Sequence, residues 1–237
     1  MTPERDHIFP DSVLEQDIVL YKELLTDDVL QLPSTMHLLL GKENDMGTTI
    51  PIRSQSDIET IKKYFLEKEQ YRNYALFVVG INTALRISDL LDLDWGDVYN
   101  FDSHTWQKYV EVTEHKTGKR NTILLNQNAK EALDLYRSYR EPASGTDKIF
   151  CNNRSNSQPI SRTQAYAIIR EACAVNGIEG KISCHSLRKT FGYHAWKKNV
   201  PEVMLMNIYN HSSFAITRCY LGIEQDDRDE VFQKLNL

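Results

Sequence analysis

The pattern of apolar and polar residues predicts a mostly helical protein whose helices become regular after about residue 52. The stretch "SQSDIETIKKYFLEKEQ" has apolar residues at helical spacing, and Ser56 with Glu59 predicts a capping box at its start. The following stretch, "RNYALFVVGINTALRISDLLDL", predicts a buried helix, a break at residues 80–83 and a second helix that continues to Leu91.

In the middle of the chain, the spacing of apolar residues changes from helical to every second residue. Residues 109–113 and 122–125 alternate between apolar and polar types, and the "KTGK" between them supplies the glycine that a hairpin turn favours. Helices resume after the hairpin, and one of them is predicted to start at Ser161, with Gln164 completing its cap, and to end at Gly177. The pattern therefore predicts a mainly α fold with a small antiparallel β-sheet, in the α+β class.

Composition narrows the class of protein. The chain has 237 residues, of which 41% are hydrophobic and 26% charged, as expected for one main core with an appended piece. The longest apolar stretches are too short to cross a bilayer, and "MTPERDHIFP" has no secretory pattern, so we expect a cytoplasmic protein. The four cysteines form no C-x-x-C pair, which predicts reduced thiols and no structural zinc.

The charge is unevenly distributed along the chain. The net charge is −5, but residues 1–60 carry four Lys or Arg against twelve Asp or Glu, a net of −8. Residues 101–200 carry sixteen against nine, a net of +7, and residues 201–237 return to −3. A basic middle between acidic ends is compatible with a local surface for a polyanion, although a charged stretch is more often a solvated face.

Two arginines lie in patterns that suit an anionic ligand. His185 and Arg188 are three residues apart in "HSLR", so on a helix they share a face where a guanidinium and an imidazole converge. The alternative is a capped helix whose arginine pairs with a carboxylate. Arg86 is framed by apolar residues and needs a partner, because an unpaired buried charge costs several kcal/mol. Asp89 and a ligand phosphate are the two candidate partners.

A lysine, a histidine and a tyrosine complete the candidate chemistry. Lys116 lies at the predicted hairpin tip, where it is either a solvated lysine or a mobile ammonium that protonates a leaving oxygen. His211 precedes Tyr220 by nine residues, which on one continuous helix would place them on opposite sides. Ser212 and Ser213 are good N-cap residues, so we expect the helix to begin after His211, which then turns toward Tyr220. A core tyrosine and an unrelated turn histidine remain the alternative.

Together, four stretches resemble the motifs of the tyrosine recombinase (phage integrase) family, in the family's order. "NTALRISDLLDLDWGDV" resembles its first arginine motif, and "EHKTGKRNTILL" its lysine hairpin. "CHSLRKTFGYHAW" is similar to its His-x-x-Arg helix, and "NHSSFAITRCYLG" to its histidine and tyrosine motif. Asn210 stands where the family usually has glycine, and asparagine also tolerates the left-handed conformation. The resemblance covers residues 52–223 and implies the catalytic-domain fold of that family.

The resemblance implies a catalytic role for six residues: Arg86, Lys116, His185, Arg188, His211 and Tyr220. By this resemblance Tyr220 attacks a DNA phosphate to give a 3′-phosphotyrosyl link and a free 5′-hydroxyl. Lys116 protonates the leaving 5′-oxygen, and His185 takes the tyrosine proton. The other three bind the non-bridging oxygens, whose charge grows in the transition state. The link conserves the bond energy, so no cofactor, ATP or metal is expected.

The resemblance also implies partners and a domain organisation. We expect double-stranded DNA as the partner, a homo-oligomer (tetramer) on DNA, and neither a membrane nor a small-molecule substrate. The expected DNA contacts are Thr117, Lys119, Arg120, Arg162 and Lys189. Residues 1–51 form an acidic segment shorter than the family's core-binding domain. Residues 224–237 form a tail that either docks on a neighbouring protomer, with Phe232 and Leu235 as anchors, or is frayed and solvated.

Two other functions are compatible with these motifs. A type IB topoisomerase shares the constellation but relaxes DNA as a monomer. An accessory protein that binds DNA without recombining it would explain the acidic, shortened front of the chain.

Overall fold

The first helix of the described residues, α1 (Gln55–Glu67), starts one residue after Ser54, whose hydroxyl accepts a hydrogen bond from the Asp57 N–H at 3.3 Å. The predicted capping box of Ser56 and Glu59 is therefore wrong. Ser54 has the extended backbone that an N-cap requires, whereas Ser56 already lies in the first turn. The computed structural model describes residues 49–116, 118–223, 229 and 232–235.

The second helix, α2 (Tyr71–Thr83), runs without interruption through the predicted break at residues 80–83. The chain turns one residue later, at Ala84, which has a left-handed φ of 55°. A short helix, α3 (Ile87–Leu91), follows. The turn after α2 places Arg86 just before α3 rather than inside a helix.

The predicted hairpin is confirmed. Strand β3 (Tyr109–Thr113) pairs antiparallel with β4 (Arg120–Leu124), so that Tyr109 lies opposite Leu124 and Thr113 opposite Arg120. The second strand begins two residues earlier than the alternating pattern predicts. Gly118 in the turn has a φ of 65°, which explains the need for glycine there.

A second short antiparallel pair, β1 (Tyr99–Asn100) with β2 (Thr105–Trp106), precedes the hairpin. The remaining helices are α4 (Trp95–Val98), α5 (Gln127–Tyr139), α6 (Arg162–Val175), α7 (Cys184–Lys197), α8 (Glu202–Tyr209) and α9 (Phe214–Leu221). The predicted class, mainly α with a small antiparallel sheet, is confirmed. Ser161 caps α6 as predicted, and α6 ends at Val175, two residues before Gly177.

Helix α2 lies at the centre of the fold, packed against α5 and α7. A Cβ added to Gly80 would lie 2.7 Å from the Leu187 side chain, so the glycine permits the close approach of α2 and α7. A smaller apolar cluster of Tyr193, Tyr209, Leu221 and Ile223 joins α7, α8 and α9. This cluster fixes the positions of the three helices that carry most of the candidate site.

Several predictions concern residues outside the described part of the chain. They include the acidic segment 1–51, except for residues 49–51, most of the tail 224–237, and Thr117. Within the tail, Phe232 and Leu235 are exposed. Among the described residues, no helix has the length and apolar character needed to cross a membrane.

Candidate active site

Helix α7 presents two of the predicted site residues on its first turns. Ser183 caps the helix, accepting a hydrogen bond from the His185 N–H at 3.2 Å, while its own N–H donates to Ser186 at 3.0 Å. His185 is exposed, and Arg188 is only 4% exposed. The three-residue spacing places both on one face of the helix, as the sequence predicts.

The guanidinium of Arg188 is held from three directions. It donates hydrogen bonds to the backbone oxygen of Ala84 and, at 3.4 Å, to that of Tyr209. Its central carbon lies 4.7 Å from the centre of the Tyr209 ring, and the Tyr209 hydroxyl donates back to the Arg188 carbonyl at 2.6 Å. The buried tyrosine thus positions the arginine at both its backbone and its side chain.

Arg86 pairs with Glu114, not with Asp89 as one alternative held. The Arg86 Nη1 atom lies 2.7 Å from the Glu114 carboxylate, which is almost fully buried. Asp89 instead accepts a hydrogen bond from the His115 N–H at 3.0 Å. Arg86 precedes α3 with an extended backbone, so three-residue spacing does not place the two side chains on a common helix face.

Glu114 is a residue of the candidate site that the sequence motifs do not include. It follows strand β3, in which Val110 is buried and Val112 half-buried, while the alternate residues Tyr109, Glu111 and Thr113 are exposed. Continuing this alternation places residue 114 on the inward side, toward Arg86. The sequence signal for Glu114 is therefore a carboxylate at an inward position next to the hairpin lysine.

The turn before α9 brings His211 to Tyr220. Asn210 adopts a left-handed conformation, with φ of 56°, and the His211 N–H donates to the Met206 carbonyl at 3.0 Å. Ser213 caps α9, so the predicted start of the helix after His211 is confirmed. The centres of the His211 and Tyr220 rings are 5.4 Å apart in an edge-on arrangement. The nine-residue spacing therefore brings the two side chains together.

The electrostatic setting of His211 keeps its ring neutral. Burial, followed by the positive charges of Arg188 and Arg86, lowers the pKa of His211 to about 4. Its Nδ1 atom lies 3.0 Å from the Thr217 hydroxyl, which is 3.5 Å from the Ser213 carbonyl. When the Thr217 hydroxyl donates to this nitrogen rather than to the Ser213 carbonyl, the ring proton lies on Nε2, where it is a hydrogen-bond donor for an anionic ligand.

Acidification should reduce stability through His211. Because its folded pKa of about 4 lies below the ordinary 6.5, the unfolded chain binds the proton more tightly. This contribution is present above pH 6.5 and is lost as the pH falls toward 4. Between pH 7 and pH 5 we expect a loss of about 1 kcal/mol after discounting for partial exposure. Urea unfolding at the two pH values measures it.

The matched variants for this measurement are His211→Gln and His104→Asn. The first should lose about 1 kcal/mol less than wild type between pH 7 and pH 5. The second changes an exposed histidine in a left-handed turn, where asparagine is tolerated, and should keep the wild-type dependence. An equal loss in wild type and His211→Gln would contradict the setting described for His211.

The hairpin approaches the same turn. The Lys119 ammonium donates a hydrogen bond to the Asn210 side-chain oxygen at 2.8 Å, which joins the hairpin to the residue before His211. Lys116, three residues earlier, is exposed in the hairpin turn. The contact places the lysine-bearing loop beside the histidine turn.

The predicted site residues thus fall into two groups. Contacts and charges bring Arg86, Arg188, His211 and Tyr220 together, whereas Lys116 and His185 are exposed on the hairpin and on the first turn of α7. Among the predicted DNA contacts, Lys119, Arg120 and Arg162 are exposed.

Lys189 has a different setting from the other predicted DNA contacts. It is 4% exposed, and its ammonium donates to the Thr49 carbonyl at 2.5 Å and lies 5.0 Å from the centre of the Tyr220 ring. The lysine thus faces the protein interior and the helix that carries Tyr220, rather than an open surface.

In the part of the chain that the structure describes, no group of three or more His, Cys, Asp or Glu residues is placed to hold a metal ion. Two guanidiniums, a neutral imidazole and a phenol are the groups that the site offers. These groups suit a phosphodiester, because guanidiniums and an imidazole N–H can bind its oxygens and a phenol can act as a nucleophile for phosphorus. Groups of this kind are what an enzyme that acts on phosphate esters through a tyrosine would need.

The chain belongs to the phage integrase family, whose model matches residues 54–226. It is 44% identical over 176 residues to the probable integrase/recombinase YoeC of Bacillus subtilis (strain 168), covering 74% of this chain and 91% of that relative. The chain spans less of its relatives named tyrosine recombinase, covering 55% of a XerD from Chlorobaculum tepidum and 65% of a XerC from Pediococcus pentosaceus.

Solved structures share the fold. The XerA recombinase superposes with a TM-score of 0.62 at 20% identity, covering 95% of this chain and 84% of that chain. A lambda integrase dimer bound to a COC′ core site gives a TM-score of 0.56 at 16% identity, covering 89% and 70%. The comparisons support neither the topoisomerase nor the accessory-protein alternative.

Proposed function

We propose that this protein is a site-specific tyrosine recombinase that cuts and rejoins double-stranded DNA. The observation that carries the proposal is the contact between the Tyr220 and neutral His211 rings, in the field of Arg188 and Arg86. A phenol beside an imidazole donor and two guanidiniums has the groups needed for attack on a phosphodiester. Membership of the phage integrase family supports the same reaction.

In the proposed first step, the Tyr220 oxygen attacks the scissile phosphorus. A bond forms between phosphorus and the phenolic oxygen, and the bond between phosphorus and the 5′-oxygen breaks. His185 accepts the phenolic proton, and Lys116 gives a proton to the departing 5′-oxygen. The products are a 3′-phosphotyrosyl link and a 5′-hydroxyl, and reversal with a hydroxyl from another strand completes the exchange.

The anion-binding residues act on the non-bridging oxygens. As the tyrosine oxygen approaches phosphorus, negative charge increases on these oxygens, and fixed donors stabilise it without reorganising. Arg188 is held by backbone carbonyls, and Arg86 by Glu114, so both are oriented before DNA arrives. The neutral His211 adds one N–H donor. One phosphate ester is exchanged for another, so the step needs no ATP.

We propose that the protein assembles on DNA as a homo-oligomer, since strand exchange joins ends from two sites. The similar fold of a lambda integrase dimer on its core site supports this arrangement. The reaction takes place where chromosomal or mobile-element DNA is accessible, which in a bacterial cell is the cytoplasm or nucleoid. Recombination requires two DNA sites, whereas relaxation takes place on a single duplex, and this difference distinguishes the two reactions.

Three exposed cations are proposed as contacts to the DNA backbone: Lys119, Arg120 and Arg162. Each phosphate contact releases a counterion, so binding should weaken steeply between about 50 and 200 mM salt. Replacing any one cation by alanine should make the slope of log affinity against log salt less negative by about 1. Fluorescence anisotropy with a 30-base-pair duplex measures the slope, and Lys198→Ala, on the exposed end of α7, is the control. Unchanged slopes would contradict these contacts.

A covalent trapping experiment tests the proposed function. Nicked duplexes that tile the DNA flanking the gene are incubated with the full chain, so that cleavage near the nick releases a short strand and prevents rejoining. We expect a denaturant-resistant protein–DNA band on at least one duplex, resistant to EDTA and independent of ATP. The absence of a band on every tile would overturn the proposal. Plasmid relaxation without recombinants would instead favour a topoisomerase.

A further inference from the structure

The segment just before α1 runs along helix α7. We name residues 49–53 the strap. The Ile52 N–H donates to the Thr190 hydroxyl at 2.9 Å, and the Ile52 carbonyl lies 3.0 Å from the His194 Nε2 atom. The Ile52 side chain is 1% exposed and packs in the core. The middle of the strap is therefore fixed to α7 by backbone contacts and by a buried side chain.

The two ends of the strap contact groups next to the proposed nucleophile. At one end, the Thr49 carbonyl accepts a hydrogen bond at 2.5 Å from the buried Lys189, whose ammonium lies 5.0 Å from the centre of the Tyr220 ring. At the other end, the Arg53 guanidinium donates at 2.8 Å to the carbonyl of Gly222. Gly222 is the C-cap of α9, two residues after Tyr220.

These contacts restrain α9, a helix that is too short to be stable on its own. Helix α9 has only eight residues, which is too few for a stable isolated helix, so its position depends on what it touches. The carbonyls at its C-terminal end need partners, and a cation is favourable there, which Arg53 provides. Lys189 restrains the tyrosine ring itself through a cation–π contact.

We propose that the strap positions Tyr220 for attack, with Arg53 and Lys189 as the positioning residues. The proposal rests on the proposed function, in which Tyr220 is the nucleophile. Neither positioning residue touches the reacting phosphate. Arg53 acts through the end of α9, and Lys189 acts through the tyrosine ring. Misplacement of a nucleophile by about 1 Å is sufficient to slow a reaction by about 100-fold.

The kinetic test compares two reactions of the same site. The first is formation of the tyrosyl adduct in a single turnover, at saturating concentration of the duplex that traps wild type best. The second joins a strand ending in a 3′-p-nitrophenyl phosphate to a 5′-hydroxyl. This second reaction is measured in the Tyr220→Phe background, with each variant compared to that parent. The 5′-oxygen forms the bond to phosphorus and p-nitrophenolate leaves, and no Tyr220 phenol is present to act as the nucleophile. The phosphate-binding groups are required in both reactions.

Arg53→Ala and Lys189→Met should each slow adduct formation by about 10- to 100-fold. Joining of the nitrophenyl ester should remain within about twofold of the Tyr220→Phe parent, and the Kd for DNA within about twofold of wild type, because the phosphate-binding groups are intact. Arg53→Lys supplies one donor to Gly222 and should recover most of the lost rate. The controls Arg154→Ala and Lys198→Met, on an exposed loop and on the exposed end of α7, should behave as wild type.

Equal loss in both reactions, or no loss in the first, would overturn the proposal. Hydrogen exchange on peptides spanning residues 214–222 gives a readout that does not depend on DNA. Arg53→Ala should speed exchange there relative to Arg154→Ala, and equal exchange would count against the strap. If wild type forms no adduct on any tile, the proposed function fails, and the exchange measurement still decides whether the strap holds α9.

Discussion

Tyr220→Phe should abolish the covalent protein–DNA band while leaving DNA affinity within about twofold of wild type. The substitution removes only the oxygen that is proposed to bond to phosphorus. The ring remains, so its contacts with His211 at 5.4 Å and with Tyr209, also at 5.4 Å between ring centres, are kept. Denaturing gels of the trapping duplex measure the band, and anisotropy with the same duplex measures the affinity.

The matched control is Tyr139→Phe, which removes an equivalent hydroxyl from an exposed tyrosine at the end of α5. This variant should form the band at the wild-type rate, because that ring stacks on Tyr71, away from the helices that carry the site. A persistent band in Tyr220→Phe would reassign the nucleophile. Mapping the labelled peptide would then identify the residue that carries the DNA.

The sequence alone predicts the local geometry around the candidate site residues better than it predicts the contacts that hold them. The spacing of His185 and Arg188 and the serine cap after His211 are local properties, and the structure has both as predicted. Local rules work there because a helix fixes the direction of side chains three or four residues apart. The hairpin is also predicted by a local pattern, because alternating apolar and polar residues and a turn glycine specify it.

The supporting contacts are long-range, and local patterns do not encode them. The Arg86–Glu114 pair spans two elements, and the bond from Arg53 to Gly222 joins opposite ends of the described domain. The pattern predicts the break too early because Gly80 indicates a break by propensity, whereas α2 continues to Thr83. The role of Gly80 is instead to allow the Leu187 side chain to approach α2 closely, a tertiary effect that overrides propensity.

Arg188→Lys should slow adduct formation by about 1,000-fold, which corresponds to about 4 kcal/mol of transition-state stabilisation. Lysine keeps the positive charge but has a single ammonium in place of a planar fork. It cannot hold the Ala84 and Tyr209 carbonyls and still present donors to a phosphate in a fixed direction. The single-turnover rate at saturating duplex measures the loss, and Arg154→Lys, on an exposed loop, is the control.

The same variant separates binding of the phosphate from placement of the nucleophile. If Arg188 stabilises charge on the non-bridging oxygens, Arg188→Lys should slow joining of the 3′-p-nitrophenyl ester by a factor similar to that for adduct formation, about 1,000-fold. The strap variants should lose only the tyrosyl reaction. A melting temperature near that of wild type would show that the loss is not unfolding. Retention of ester joining in Arg188→Lys would mean that this arginine supports Tyr209 and α8, and that other groups bind the phosphate.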